Sequence, residues 1–430
     1  MEPTKNTPLI SVEEALATIL AKISPVEADR IALTDGLHRV LAQPIASPLN
    51  VPPFANSAMD GYAVIAADTA GATRQTPVRL KVVGNIPAGA SSGVLLQPGT
   101  AARIMTGAPV PPGSTAVIRF EETSEYIRSG AGQPAADEVL VYQAVFDHDN
   151  VRPAGEDIQA GQLLLPAGHR LRPPDIGVLA AIGQATISVY RRPRVAILAT
   201  GDELVGVDEP ITPGKIRNSN EYTQAAMVQQ YGGEPLRLGI ARDNVADLTA
   251  KIHAGLEQQV DLFLTSAGVS IGDFDMVKNV LAAEGEIQFW QVAIKPGKPL
   301  AFGMLRHRPD EGRPPVPLIG LPGNPVAAMV AFEVFARPAL LKLGGCRSWA
   351  KNKLLARLDE EVTNSGRRHY LRGLVGLQED GYHVSTRGSG VQVQGSGILT
   401  SMVWANCLVV VPEQVTHLPV GAPVEVWILD

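Results

Sequence analysis

Two lysines, Lys295 and Lys298, stand among prolines and a glycine in the stretch IKPGKPLAFG, residues 294–303. A second loop of the same character, GLPGNPVAA, follows at 320–328. Proline fixes φ and removes a backbone donor, and glycine lets other groups approach the backbone closely. Such segments make poor helix and poor central strand, so they read as rigid loops that hold their cations in place. Further loops add carboxylates and glycines: Gly201, Asp202 and Glu203; Arg242 and Asp243; Gly268, Ser270, Gly272, Asp273 and Asp275; Gly323 and Asn324. Glycine-rich loops expose N–H groups that cradle phosphate oxygens, and lysines neutralise oxyanion charge. Carboxylates would repel the same ligand unless a divalent cation lay between them, so the combination is the pattern of Mg2+ beside a phosphate. Singly, each member has a plainer reading: Asp243 as a helix cap, Gly268 and Gly272 as turn residues, the lysines as solvated cations. Asp60 in NSAMDGYAV reads as a turn-forming Asp, and Thr106 in RIMTGAPVPPG as a cap.

The elements that must position these loops alternate between strand and helix from residue 191 to 345. VAILAT, PLRLGIA, DLFLTS, FWQVAIK, PLAFGML and VPLIGL read as strands. SNEYTQAAMVQQYGG reads as a helix capped by Ser219 and stopped at Gly232. DNVADLTAKIHAGLE is a helix capped by Asp243 or Asn244, FDMVKNVLAAEG another, and PVAAMVAFEVFARPALLKL a long closing one. This alternation predicts a doubly wound α/β domain with a mostly parallel sheet, whose ligands bind beyond the carboxyl ends of the strands. Before it, SVEEALATILAKI is an amphipathic helix capped by Ser11. Residues 62–145 are Val-rich, punctuated by Gly and Pro and weakly alternating, which predicts a β-rich module, with EYIRSGAGQPAADEV as an exposed loop. After about residue 346 short alternating segments return, as in a small β-barrel or sandwich. The expected division is a linking and dimerisation domain of mixed structure at 1–50 and 147–190, a β-rich domain at 51–146, an α/β domain at 191–345 and a C-terminal β-barrel domain at 346–430.

Composition bounds the function. The 430 residues suffice for roughly two to four domains. Apolar residues make up 45% and the formal net charge is −6, which argues against a general nucleic-acid binder. Two cysteines, Cys346 and Cys407, offer neither a disulfide framework nor metal-ligand spacing and read as buried thiols. No apolar run is long enough to span a membrane, and the N-terminus has no signal-peptide pattern, so a cytoplasmic protein is expected.

Together the motifs NSAMDGYAV, RIMTGAPVP, RPAGEDI, VAILATGDELV, PGKIRNSN, GVSIGDFD, IKPGKP and GLPGNPVAA occur in this order within residues 51–328. On these the chain closely resembles the MoeA family of molybdopterin molybdenumtransferases, which is similar to the E domain of gephyrin. The resemblance implies the last step of molybdenum cofactor synthesis: adenylylated molybdopterin and molybdate enter, AMP leaves, and the dithiolene ligates molybdenum, with Mg2+ required. It implies an elongated homodimer of four-domain subunits, with the site between the α/β domain of one subunit and the β-rich domain of the other. A molybdopterin adenylyltransferase and recipient molybdoenzymes follow as possible partners, with no nucleic acid or membrane. Motif by motif, it implies catalytic roles for Asp60, Thr106, Asp157 and Glu203. It implies substrate contacts from Ser270, Asp275, Lys295, Lys298, Arg372 and Ser396, and metal binding by Asp243 and Asp275.

Three positions depart from the family pattern. Gln291 stands where a lysine is frequent, Ala267 where a glycine is, and Ala327 where a serine is. None removes an acidic group. Two other readings stay open on sequence grounds: a pterin- or nucleotide-binding pyrophosphatase, and a non-catalytic gephyrin-like scaffold.

Overall fold

The computed structural model describes residues 9–90, 93–128, 137–266, 279–281, 283–307, 312–388 and 394–429. Two compact units divide the chain, one of residues 1–43, 167–172 and 187–430, the other of 44–166 and 173–186.

The larger unit is built on a seven-stranded sheet. Its order is Leu9–Ile10, Gly285–Val292, Pro299–Leu305, Val316–Leu321, Leu262–Ser266, Arg194–Thr200, Glu234–Ala241. Only Pro299–Leu305 runs against the rest. The central strands Arg194–Thr200, Leu262–Ser266 and Val316–Leu321 are buried almost throughout, as continuous apolar runs covered on both faces should be. One face packs against helix Val12–Ala21, whose first turn is capped by Ser11 Oγ accepting from Glu14 N–H, and against the helices of residues 325–343. The other face holds helix Val245–Glu257 through Leu248, Ile252 and Leu256.

Helix starts differ from expectation in one place. Helix Ser219–Gln230 is capped by Asn218, not Ser219: the Asn218 side chain accepts from Glu221 N–H and donates to the Glu221 carboxylate. Of the two candidates for the next helix, Asn244 is the cap, accepting from Asp247 N–H. The closing helix contains a π-turn at Phe332–Ala336 between Pro325–Ala331 and Arg337–Leu343. The turn presents Glu333 to a buried cluster: its carboxylate lies 2.9 Å from Lys351 Nζ and 3.3 Å from Arg337 Nε, and accepts from Tyr231 Oη at 2.8 Å. Of FDMVKNVLAAEG, residues 279–281 and 283–285 are described, 279–281, 283 and 284 as helical and Gly285 as the start of a strand.

Within the same unit, strands Lys353–Leu358, Arg368–Gln378, Gly381–Ser385, Cys407–Val411 and Pro423–Ile428 close into a five-stranded barrel. The short strand Ile294–Lys295 pairs in parallel with Arg368–His369. The lysine loop of the α/β portion is thus hydrogen-bonded to the barrel. Cys407 is buried in the barrel, with its thiol pushed up to about 12 by desolvation, whereas Cys346 is only half-buried.

The smaller unit carries a five-stranded sheet ordered Ala116–Arg119, Gly61–Val64, Thr100–Ile104, Val78–Ile86, Glu138–Val141. Its core gathers Tyr62, Val64, Leu80, Ile118 and Val139. Part of the expected loop here is helical, Ser124–Arg128. No helix among the described residues is long and apolar enough to cross a membrane.

Candidate functional site

In the larger unit, the loops after the parallel strands open on a cavity of about 650 Å³. Glu203 lines it from the loop after Arg194–Thr200, Ser266 from the end of its strand, and Gly323 and Asn324 from the loop after Val316–Leu321. Lys295 and Lys298 line it from the loop that precedes the antiparallel strand, and Arg217, Asn218, Ser219 and Asn220 from the start of a helix. Its far wall comes from the barrel: Arg367, His369, Gln394 and Ser396.

Local structure explains why these side chains arrive together. The lysine loop runs through a cis Lys295–Pro296 peptide, and Gly297 takes φ 99°, where a side chain is strained. Val292 N–H donates to the Lys298 carbonyl at 2.8 Å, closing the loop. Gly201 takes φ 139°, and a Cβ there would lie 2.3 Å from a Glu203 carboxylate oxygen. The positive φ favours glycine here, and a side chain would also push the Glu203 carboxylate aside. Asn324 Nδ2 donates to Ser396 Oγ at 3.0 Å, and Val326 N–H to the Ser396 carbonyl at 3.0 Å, so the two loops hold each other. Asn220 Nδ2 donates to the Gly323 carbonyl at 2.7 Å, tying in the helix start. Among the described lining residues, four cations (Lys295, Lys298, Arg217, Arg367) face one carboxylate, Glu203, with several neutral donors between. Such a cavity suits a polar anion.

Arg372 is placed differently from the expected substrate contact. Residues alternate faces along a strand. Arg367 and His369 face the cavity, and Arg372, three residues beyond His369, faces away and is fully buried. Its Nε donates to Ser401 Oγ at 3.1 Å and its Nη2 to the Gly395 carbonyl at 3.1 Å. Burial pulls its pKa down to about 10, which still leaves it charged at neutral pH. In this geometry it braces the loop that presents Ser396 and does not line the cavity.

Asp243 sits apart from the cavity lining, beside Asp202. Asp202 N–H donates to Asp243 Oδ2 at 3.3 Å and Asp243 N–H to Asp202 Oδ1 at 3.2 Å. Among the described residues no three His, Cys, Asp or Glu side chains gather as a metal site. Ser270, Asp275 and Ala267, with Gly268, Gly272 and Asp273, lie outside the described residues.

The smaller unit holds Asp60, Thr106 and Asp157. Asp60 precedes strand Gly61–Val64 and Thr106 follows its partner Thr100–Ile104, so the antiparallel pairing of Gly61 with Ile104 brings them together. Thr106 donates to Asp60 Oδ1 twice, from its backbone N–H at 2.7 Å and its hydroxyl at 2.7 Å. The backbone donor first, and then the hydroxyl, hold the Asp60 carboxyl below its ordinary value, so it stays an acceptor-only anion. A Cβ on Gly61 would lie 1.8 Å from the Ile118 carbonyl, so only glycine fits after Asp60. Asp157 lies on an exposed loop, its N–H donating to the Val51 carbonyl at 3.0 Å.

Sequence reasoning passed over Arg367, His369 and Gln394. For Arg367 and His369 the alternation in RRHYLRG is the available signal, but it does not say which face meets the lysine loop; Gln394 has no such signal.

Three family models match the chain in succession. They are the MoeA N-terminal region (domain I and II) at residues 10–183, the "probable molybdopterin binding domain" at 196–342 and the MoeA C-terminal region (domain IV) at 356–429. The chain is 37% identical, over 97% of its length and 93% of the relative's, to a protein named molybdopterin molybdenumtransferase from Nostoc sp.. The chain belongs to the MoeA family. A molybdopterin molybdenumtransferase from Haemophilus influenzae is 33% identical, over 97% of this chain and 98% of its own. Among solved structures, a molybdopterin biosynthesis MoeA protein from Pyrococcus horikoshii matches with a TM-score of 0.80 at 27% identity, covering 98% of this chain and 100% of that one. The MoeA models therefore account for the smaller unit, the α/β sheet and the barrel in turn, and the cavity lies within residues matched by the second and third.

Proposed function

We propose that this MoeA-family chain is a transferase that inserts molybdenum from molybdate into adenylylated molybdopterin and releases AMP, acting as a homodimer in the cytoplasm. The cavity carries this reading: two lysines and two arginines face hydroxyl and amide donors at the carboxyl edge of a mostly parallel sheet. Lys295 and Lys298 balance the charge of a tetrahedral oxyanion, while Ser396 and Asn324 orient its oxygens. Gly323 leaves the backbone open to a close-lying ligand. Glu203, lying over Gly201, supplies an acceptor at the cavity wall. In the smaller unit Asp60, kept ionised by Thr106, supplies a second acceptor.

The reading includes Mg2+. Asp202 and Asp243 are two exposed carboxylates held side by side, and their free oxygens are hard donors that fit an ion retaining several waters. We assign them to the metal together with Asp275. When bound, the ion neutralises pyrophosphate charge and eases departure of AMP.

The test is AMP release from adenylylated molybdopterin, followed with and without molybdate and with Mg2+ present or chelated. The expected result is release that requires both. Release indifferent to molybdate would contradict the transferase and leave a pyrophosphatase; binding without release would leave a scaffold.

A further inference from the structure

His369 is the odd member of the cavity wall. It is the imidazole in a wall that also carries cations, one carboxylate, small polar groups and apolar residues, it is 5% exposed, and among the described residues its Nδ1 has no hydrogen-bond partner. A buried polar atom without a partner is uncommon and costly, which points to a ligand as the missing partner. Register strengthens the point: His369 stands opposite Lys295 across the parallel pair, so both side chains lie on the same face. The charged groups around it are Lys295 on that neighbouring strand, Arg367 and Arg372 along its own chain segment, and Lys298, Arg217 and Glu203 around the cavity. On its other side the paired residue is the uncharged Val411. Burial first, and then the charges of Lys295, Arg372 and Arg367, hold the imidazole down at about 3. It is therefore neutral in the empty cavity.

We propose that His369 contacts the tetrahedral oxyanion directly and takes up a proton as the anion binds, so that capture of the anion is coupled to pH. The proposal rests on reading the cavity as an oxyanion seat. A dianion placed beside Lys295 and Lys298 offsets the cationic part of what keeps the imidazole neutral and adds its own attraction for a protonated ring, working against the larger effect of burial. The ring then binds a proton from solvent and donates a charge-assisted hydrogen bond to an anion oxygen. No covalent bond changes; one proton moves from water to the imidazole. By linkage, the anion binds more tightly as pH falls through the range in which the occupied site protonates.

The test is isothermal titration calorimetry of the full chain with sodium molybdate at pH 6 and pH 8, in buffers of differing ionisation heat that report proton uptake. The native chain should take up a proton at pH 6 and bind about tenfold more tightly there than at pH 8. His369→Gln should lose the uptake and the pH dependence while its melting temperature at pH 8 stays near native. Native binding that takes up no proton, or uptake that persists in His369→Gln, would overturn the role of His369 and leave the oxyanion seat standing. The native measurement needs no variant, so misfolding of His369→Gln cannot rescue the idea. A parallel titration with AMP separates the two sources of oxyanion chemistry. Uptake with AMP and none with molybdate would place His369 at a phosphate and overturn the molybdate assignment. Failure of the native chain to bind molybdate at all would overturn the functional reading and this inference together.

Discussion

At the scale of single residues, the site works by fixing charges before a ligand arrives. Lys298 is confined by its flanking backbone, so little ordering remains when an anion binds. Lys298→Ala should weaken molybdate binding about tenfold or more with the fold retained, as read by calorimetry beside circular dichroism. Undiminished affinity would remove Lys298 from the seat. Asp60 is fixed by Thr106 in the complementary sense. Thr106→Val deletes the hydroxyl but keeps the backbone donor, so the Asp60 carboxyl should rise towards its ordinary value without reaching it. An NMR titration of the Asp60 side-chain carbon reads this directly; no movement would mean the hydroxyl bond is absent in solution. His369 adds a stability term whose sign follows from its lowered pKa. The folded chain resists protonating it and the unfolded chain does not, so its contribution is complete above the ordinary value of 6.5 and is lost as pH falls towards about 3. The loss amounts to roughly 3 kcal/mol between about pH 6.5 and pH 4. Thermal melts across that range should show a shallower acid limb for His369→Gln than for the native chain.

At the scale of elements, what holds the site is the join between sheet and barrel. Strand Ile294–Lys295 leaves the α/β sheet to pair with the barrel, and the Asn324–Ser396 bond repeats that link from another loop. Behind them Glu333, Lys351, Arg337 and Tyr231 tie the π-turn to the segment that enters the barrel. Lys351→Met leaves a buried carboxylate with one cation fewer and should cost about 3 kcal/mol. Urea unfolding checks this, and an unchanged midpoint would mean that Arg337 alone satisfies Glu333. Much of this scale was legible. Alternation of apolar runs with capped helices locates the strands and the rim where Glu203, Lys295, Lys298 and Asn324 meet. What was not legible depends on tertiary choice. Both Asn218 and Ser219 can cap a helix, and the buried Glu221 that Asn218 also bonds decides between them. A π-turn has no local signature in VAAMVAFEVFARPALL. The two faces of RRHYLRG become distinct only when Ile294–Lys295 pairs beside them, so the sequence alone does not show that Arg367 and His369 line the cavity while Arg372, a contact on the family resemblance, is buried behind them.

At the scale of the whole molecule, the architecture and the MoeA family membership agree, and two of the three departures from the family pattern, Gln291 and Ala327, fall on described residues. Gln291 lies in a strand, paired with Leu9 on one side and Pro299 on the other. Ala327 is buried and lines the cavity beside Gly297, so the missing hydroxyl is lost at the site itself. Ala327→Ser would add one donor and should tighten molybdate binding a fewfold, readable by the same calorimetry. The proposed homodimer predicts a solution mass twice the 45.5 kDa of one chain, which sedimentation equilibrium would show. The central claim is that molybdenum enters the pterin at the cavity of Lys295 and Lys298. The most direct measurement is activation of a cofactor-free molybdoenzyme by the chain supplied with adenylylated molybdopterin, molybdate and Mg2+, comparing native protein with Lys295→Ala/Lys298→Ala. The account predicts activation by the native chain and near-complete loss in the folded double variant. Equal activation by both would contradict it.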